Sequence, residues 1–520
     1  MGISTVAEII RVQGAERGPQ TALIEGERTL SWAALLQRAS QVAQGLIAAD
    51  VGPQDRIAFL DKNGIDHFEV FFGAALTNAV CVDINWRLAP PEIAYIVNDA
   101  DAKVLFVGPD FVPVLDSIAG ELTTVSKIVV IGGHATFEDY GSWVARHPAI
   151  DPGVDQESDD VAFQLYSSGT TGRPKGVMLT NANFFGLLPV AMEMWGLTPD
   201  SVNLVAMPLF HIGGGGWAVA GMCAGCTSVI VRDLDPAALV DLIGERGISH
   251  AFLVPAVLQF MLMTPGAESA DYSTLEVVVY GASPISEEVL AKCVRLLGCK
   301  FWQAYGLTET TGAVVNLPPE DHDPDGPNNH RLRSCGLPGP GVEVRIVDGT
   351  SRVDVPVGEV GEIWIKSPQV MKGYWHMDDE TEKAIVDGGW FRSGDLGFLD
   401  ADGYLFIHDR VKDMIVSGGE NVYPAEVENV LMSHPAVADV AVIGVPHERW
   451  GETAKAIVVR APGVDVSEQD IIDFARAHLA RFKCPTSVDW IDALPRNPSG
   501  KILKKDLRAP FWEGRTRFVS

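Results

Sequence analysis

Four hydroxyls, three glycines and one lysine fall within ten consecutive residues: Ser167-Ser168-Gly169-Thr170-Thr171-Gly172-Arg173-Pro174-Lys175-Gly176. Backbone N–H groups freed by glycine, hydroxyls and a single ammonium together can surround phosphate oxygens. An apolar run, VAFQLY, enters this stretch and VMLT leaves it, so the loop joins two strands. It is not a Walker loop, which needs Ser or Thr directly after the lysine and a helix beyond it; Gly176 follows Lys175 here.

Further short motifs follow in order along the chain. They are Pro208-Leu209-Phe210-His211, Gly281-Ala282-Ser283, Gln303-Ala304-Tyr305-Gly306-Leu307-Thr308-Glu309, and Trp390-Phe391-Arg392-Ser393-Gly394-Asp395. Asp409-Arg410-Val411-Lys412-Asp413, Ser417-Gly418-Gly419-Glu420-Asn421-Val422-Tyr423-Pro424 and Pro495-Arg496-Asn497-Pro498-Ser499-Gly500-Lys501 complete the set. In this order the chain resembles the adenylate-forming superfamily, in particular its acyl-CoA synthetase (fatty-acid–CoA ligase) branch. The resemblance implies an α/β fold: a large multilayer N-terminal domain of sheets and helices over residues 1–410, and a small mobile α/β domain over 411–520 rotating about a hinge at Lys412. It implies ATP and CoA as co-substrates, Mg²⁺ as cofactor and a carboxylic acid as the group activated.

Residue by residue, the resemblance assigns ATP or AMP binding to Ser167, Ser168, Gly169, Thr170, Thr171, Gly172, Lys175, Gly281, Ala282, Ser283, Gln303, Ala304, Tyr305, Gly306, Asp395, Ile407 and Arg410. Thr308 would contact the α-phosphate, and Glu309 would hold Mg²⁺ with weaker help from Thr170. A carboxylate suits that hard cation. Asp395 can accept both ribose hydroxyls with its two oxygens. Lys501 would bridge carboxylate and α-phosphate as the mixed anhydride forms, a role that fits a point charge on a flexible stem. Ser417, Gly418, Gly419 and Glu420 would face CoA in the second half-reaction. His211, Gly213, Gly214, Trp217, Gly306 and Thr310 would border the acyl pocket, with His211 beside the carboxylate.

The glycine run at 213–216 leaves room for a medium- or long-chain fatty acid or a bulky aryl or steroid-derived acid; close packing against a neighbouring strand explains the same run equally well. Two other functions stay open: loading of an acyl or aryl group onto a carrier protein, and a non-catalytic ligand-binding role. The intact Lys175, Glu309, Asp395 and Lys501 argue against the last.

The elements that must position these residues alternate strand and helix. Ser31 can cap a helix carrying Leu35, Val42 and Leu46; Arg56–Leu60 reads as a strand and 68–76 as a helix. Residues 151–160 and 318–329 are acidic, turn-rich connections. Near the C-terminus, Pro424 opens a helix, 437–445 is a strand and Ser467 caps another helix. Residues 201–231 carry no formal charge and are long enough to cross a bilayer. Pro208, His211 and four consecutive glycines interrupt a spanning helix, so a strand, a turn and a small-residue helix are expected instead.

The 520 residues carry 40 Lys or Arg against 68 Asp or Glu, a net charge of −28 that argues against an extended nucleic-acid-binding face while leaving room for a local basic patch. With 47% hydrophobic and 21% charged residues the chain can bury a large core. The basic stretch 481–520 has nine Lys or Arg against four Asp or Glu; apart from Lys501, its Lys504, Lys505, Arg515 and Arg517 read as solvated. Cys223 and Cys226 form one CxxC without a second ligand pair, hence core residues rather than a zinc site. No signal peptide or integral membrane segment is expected. The location implied is cytoplasmic, peripheral to a membrane for a lipid-derived acid, and a homodimer is allowed.

Overall fold

The structure, a computed structural model, describes residues 2–168, 174–283, 285–410, 413–417, 420–447, 450–464, 466–496 and 502–513. Two large sheets dominate. In the eight-stranded sheet, Val161–Ser168, Val80–Asp83, Arg56–Leu60, Ala102–Val107, Lys127–Val130 and Glu138–Asp139 run parallel. Pro174–Thr180 and then Gly373–Tyr374 extend it antiparallel at one edge. In the nine-stranded sheet the parallel centre is Thr227–Ile230, Val202–Val205, His250–Leu253, Val277–Gly281 and Lys300–Leu307. These strands are nearly continuous apolar runs because helices cover both faces.

The helix Ile65–Leu76 lies in the main core with every residue but Asp66 buried, as its almost uniformly apolar sequence requires. Ser31 caps the helix Trp32–Ala48, its hydroxyl accepting from the Ala34 amide. The helix Ile212–Ala224 contains all four glycines of 213–216 in its first turns, so the run does not interrupt helix here. Its cause is tertiary. A Cβ on Gly214 would stand 2.1 Å from the Pro208 carbonyl oxygen, and one on Gly215 2.8 Å from that of Leu209. Close passage of the preceding chain outweighs the helix-propensity cost of glycine.

A third, five-stranded sheet holds Glu343–Val347, Gly361–Lys366, Ile385–Val386, Trp390–Leu399 and Leu405–Arg410. A fourth, also five-stranded, is built from C-terminal residues around Val437–His447 and Gly451–Arg460 and has its own core. Pro424 opens the helix Pro424–Met432, and Ser467 caps Glu468–His478 reciprocally with Asp470. The fold is thus mixed α/β with a large and a small part.

Lys504 differs from the expectation of a solvated side chain: it is 13% exposed and its Nζ pairs with Glu428 at 2.9 Å. Arg515 and Arg517 lie outside the described residues. Cys223 and Cys226 are buried in the main core, and burial pushes both thiols up to about 12. Among the described residues no helix is long and apolar enough to cross a membrane.

Candidate active site

Open parallel sheets leave their ligand crevices beyond the carboxyl ends of the strands. Here both large sheets aim those ends at one cavity of about 1320 Å³. Asn63 and Trp86 follow strands of one sheet; Met207, Arg232, Val254 and Ala282 follow strands of the other; all border the cavity.

At its anionic end the Lys175 strand pairs antiparallel with the Ser167 strand, Ser167 opposite Lys175. The Ser167 hydroxyl and the Tyr374 hydroxyl each donate to Glu309 Oε1, both at 3.1 Å. Glu309 sits in the short turn Thr308–Thr310 and is only 9% exposed. Burial and the Glu309 carboxylate hold the Tyr374 phenol well above its ordinary pKa, so it stays a donor. Lys175 Nζ lies 4.8 Å from the centre of the Tyr374 ring and donates to Glu380 Oε2 at 2.5 Å. This contact, followed by that from Lys383, lowers Glu380 to about 2.

Strand alternation along Lys300–Leu307 divides the next residues between two surroundings. Ala304 and Gly306 border the cavity, whereas Gln303 and Tyr305 do not. The Tyr305 hydroxyl donates to Asp395 Oδ2 at 2.9 Å, and Gln303 meets the Tyr280 hydroxyl at 3.5 Å and Cys335 Sγ at 3.7 Å. Ile407 packs against the same small apolar cluster as Tyr305. Arg410 is paired through its backbone with Asp395. Gly281 and Gly306 are close-approach glycines: a Cβ would stand 2.1 Å from the Ala304 oxygen in the first case and 1.7 Å from the Gly312 oxygen in the second. Ala282, at φ +66°, turns the chain away from its strand and borders the cavity, and Ser283 follows it half-buried.

At the apolar end of the cavity, His211 is the N-cap of its helix, with Nδ1 accepting from the Gly213 amide at 3.1 Å. His211, Gly213, Gly216 and Trp217 border the cavity. Trp217 donates its indole N–H to the Leu204 carbonyl at 3.0 Å and stands between Trp195 and Phe252, ring centres 5.4 and 6.2 Å away. The structure does not bring Gly214 or Thr310 to the cavity. Gly214 faces the backbone of Pro208, and the fully buried Thr310 gives its hydroxyl to the Leu307 and Gly312 carbonyls. Thr308 borders it.

From the small part, Arg496 and Leu503 reach the same cavity. Lys501, between them in sequence, lies outside the described residues, as do Gly169, Thr170, Thr171, Gly172, Lys412, Gly418 and Gly419. Ser417 is buried at the end of its strand and Glu420 begins the next, the two residues paired in register.

Three residues escaped the sequence reading. Tyr374 and Glu380 enter through the pairing of a two-residue strand. Asn63 does so through a side-chain clamp: its Nδ2 donates to the Met207 carbonyl at 3.0 Å, and its Oδ1 accepts from the Leu209 amide at 3.1 Å. The clamp fixes the segment that ends in His211. Only the Gly-Tyr-Trp triplet at 373–375 offered a local signal.

Chemically, the cavity offers a lysine and buried carboxylate for polyanion and cation, and an apolar aromatic recess next to a histidine; the Tyr305–Asp395 pair does not line it, although Ser393, Gly394, Ala304 and Gly306 beside the pair do. The AMP-binding enzyme family model matches residues 10–375, and the model of the AMP-binding enzyme C-terminal domain matches 426–501. Over 514 residues the chain is 42% identical to the fatty acid–acyl-carrier-protein ligase ScoC of Streptomyces coeruleorubidus, covering 97% of this chain and 96% of that one. It is 37% identical over 504 residues to a feruloyl-CoA synthase of an Amycolatopsis species, covering 96% and 98%. The crystal structure of the anthranilate CoA ligase AuaEII in complex with anthranoyl-AMP superposes with a TM-score of 0.90 at 27% identity, covering 98% and 97%.

Proposed function

Since the chain belongs to the AMP-binding enzyme family, we propose that it is an ATP-dependent carboxylic acid–thiol ligase acting in two half-reactions. In the first, a carboxylate oxygen attacks the α-phosphorus of ATP and pyrophosphate leaves, giving acyl-AMP. In the second, a CoA thiol attacks the acyl carbon and AMP leaves, giving acyl-CoA. Positioning and charge stabilisation are the main demands of the first step.

Lys175 takes β- and γ-phosphate charge, together with the hydroxyls and amides of 167–172. Thr308 reaches the α-phosphate. Asp395 accepts from the ribose, with the Tyr305 hydroxyl keeping its carboxylate oriented and Arg410 near the same sugar. Ala282 and Ala304 border the cavity and would flank the adenine, with Gly281, Ser283 and Gln303 shaping the wall behind them and Ile407 packing with Tyr305. Glu309 suits Mg²⁺: it is buried, among the described residues the two hydroxyls that donate to its carboxylate share Oε1, and carboxylate oxygen is a ligand that this ion favours. When bound there, with Thr170 as a weaker ligand, Mg²⁺ would neutralise phosphate charge. Lys501 serves the first half-reaction. Rotation of 411–520 about Lys412 then brings Ser417, Gly418, Gly419 and Glu420 to the cavity for the thiol.

The observation that carries this reading is that Lys175, Glu309, Thr308, His211 and Trp217 border one cavity. The acid is a medium- or long-chain fatty acid or a bulky aryl or steroid-derived acid held against Trp217 and Phe252. A second acceptor, a carrier-protein phosphopantetheine, is favoured by the relative at 42% identity. Acid-dependent ATP–pyrophosphate exchange over short, medium, long, aryl and steroid acids tests the first half-reaction. Thioester formation with free CoA, against a loaded carrier protein, decides the acceptor. Absence of exchange with every acid would refute the ligase reading.

A further inference from the structure

Lys175 is only 8% exposed, yet its ammonium already holds an anion, the Glu380 carboxylate at 2.5 Å. The fold delivers that carboxylate through several fixed contacts. The strand Gly373–Tyr374 pairs with Met178 and Val177 on the Lys175 strand. The Tyr374 amide donates to Thr381 Oγ1 at 2.8 Å, and that hydroxyl donates to the Met377 carbonyl at 3.0 Å. Gly373 lies so close that a Cβ would stand 2.9 Å from Thr381 Cγ2. The helix Asp378–Ala384 is thereby pinned to the strand beside Lys175, with Glu380 adjacent to the pin.

Glu380 has a second partner. Its other oxygen accepts from Lys383 Nζ at 2.7 Å, and Lys383 is 70% exposed. One carboxylate therefore bridges an enclosed cation and a solvated one. A buried ammonium without a counter-ion is strongly disfavoured, and enclosed pairs are screened less than exposed ones.

We propose that Glu380 is the resident counter-ion of the phosphate subsite: it neutralises Lys175 while the site is empty, moves onto Lys383 alone when a triphosphate arrives, and returns to Lys175 as pyrophosphate leaves. Departure of a dense anion from an enclosed lysine then becomes an exchange of anions. Lys383 lowers the cost of the outward move because Glu380 keeps one cation throughout. The inference rests on Lys175 being the phosphate-binding lysine.

The test is equilibrium binding of Mg²⁺–ATP and of pyrophosphate by isothermal titration, without acid or thiol, to the full chain. Removing the competing charge with Glu380→Gln should tighten both ligands roughly tenfold. Glu380→Asp, which keeps the charge but draws it back, should fall between. Lys383→Gln should weaken both by roughly threefold, since Glu380 then has Lys175 alone, and should have no effect in the Glu380→Gln background. Unchanged affinity in Glu380→Gln, or a loss from Lys383→Gln that persists without Glu380, overturns the inference. Lys175→Ala separates the two layers. If ATP affinity survives that change, the phosphate-lysine reading itself fails; if it is lost while Glu380→Gln stays neutral, only the counter-ion role fails.

Discussion

The Tyr305 hydroxyl donates to the Asp395 carboxylate at 2.9 Å, joining the last parallel strand of the nine-stranded sheet to the separate five-stranded sheet. Asp395 is further set by its amide, which donates to the Ser393 hydroxyl at 3.0 Å, and Ser393 donates in turn to the Ile363 carbonyl at 2.6 Å. Burial, then the nearby carboxylate, holds the Tyr305 phenol well above its ordinary pKa. The phenol thus stays protonated, and a donor to this carboxylate, through the physiological range.

Removing the donor and removing the charge should have different effects. Tyr305→Phe deletes one hydrogen bond to a charged group, about 2 kcal/mol in stability, and raises KM for ATP severalfold. Asp395→Asn keeps the shape but loses one acceptor, so KM for ATP should rise roughly 10- to 100-fold with kcat less affected. Exchange kinetics and thermal melts check both. A larger melt shift than KM shift in Asp395→Asn would assign the residue to structure.

Two glycines of one run should part company. Gly214→Ala puts a methyl 2.1 Å from the Pro208 oxygen and 2.7 Å from that of Met207, both backbone atoms. It should destabilise by about 3 kcal/mol or prevent folding. Gly216→Ala meets nothing nearer than Ile212 Cδ1 at 3.4 Å and borders the cavity. It should fold normally and lose kcat/KM for bulky acids while keeping it for small ones. Equal losses across an acid panel would detach Gly216 from specificity.

Acid stability should depend on His322. Burial lowers its imidazole to about 4; the Tyr280 hydroxyl lies 3.0 Å from its Nε2 and the Pro318 carbonyl 2.9 Å from its Nδ1. The unfolded chain takes up this proton near pH 6.5. Above that value both states are neutral and nothing changes. As pH falls from about 6.5 to about 4, only the unfolded state is protonated, and up to about 3 kcal/mol of stability is lost. Below about 4 the loss levels off. Urea midpoints at pH 7 and pH 4.5 should differ less in His322→Gln than in the parent.

Lys501→Ala should cripple exchange by several orders of magnitude while thioester formation from supplied acyl-AMP stays largely intact. Its flanking residues Arg496 and Leu503 border the cavity, which suits a role there. Equal loss in both half-reactions, measured separately, would refute the division of labour.

Local signals were legible where local physics decides. Ser31, Pro424 and Ser467 start helices because a cap or a preset φ acts within one turn. The strands around residues 167–176 follow from their apolar runs. Where a distant segment decides, the sequence was silent or misleading. The glycine run is helical because Pro208 and Leu209 cross it closely, and Lys504 is enclosed because Glu428 lies opposite. Thr310 looked like pocket lining, yet its hydroxyl ties its own turn. Glu380 was invisible because its place depends on two residues joining a sheet edge.

Asn63 acts as a stitch across a seam. The segment from Met207 to His211 belongs to no strand, but both bonds of the Asn63 amide mimic the rungs of a missing ladder between the two great sheets. The Leu209 amide should therefore resist deuterium as long as the interior does, although it lies in a loop. His211, two residues beyond Leu209, therefore inherits its place at the cavity wall from an amide on the opposite sheet.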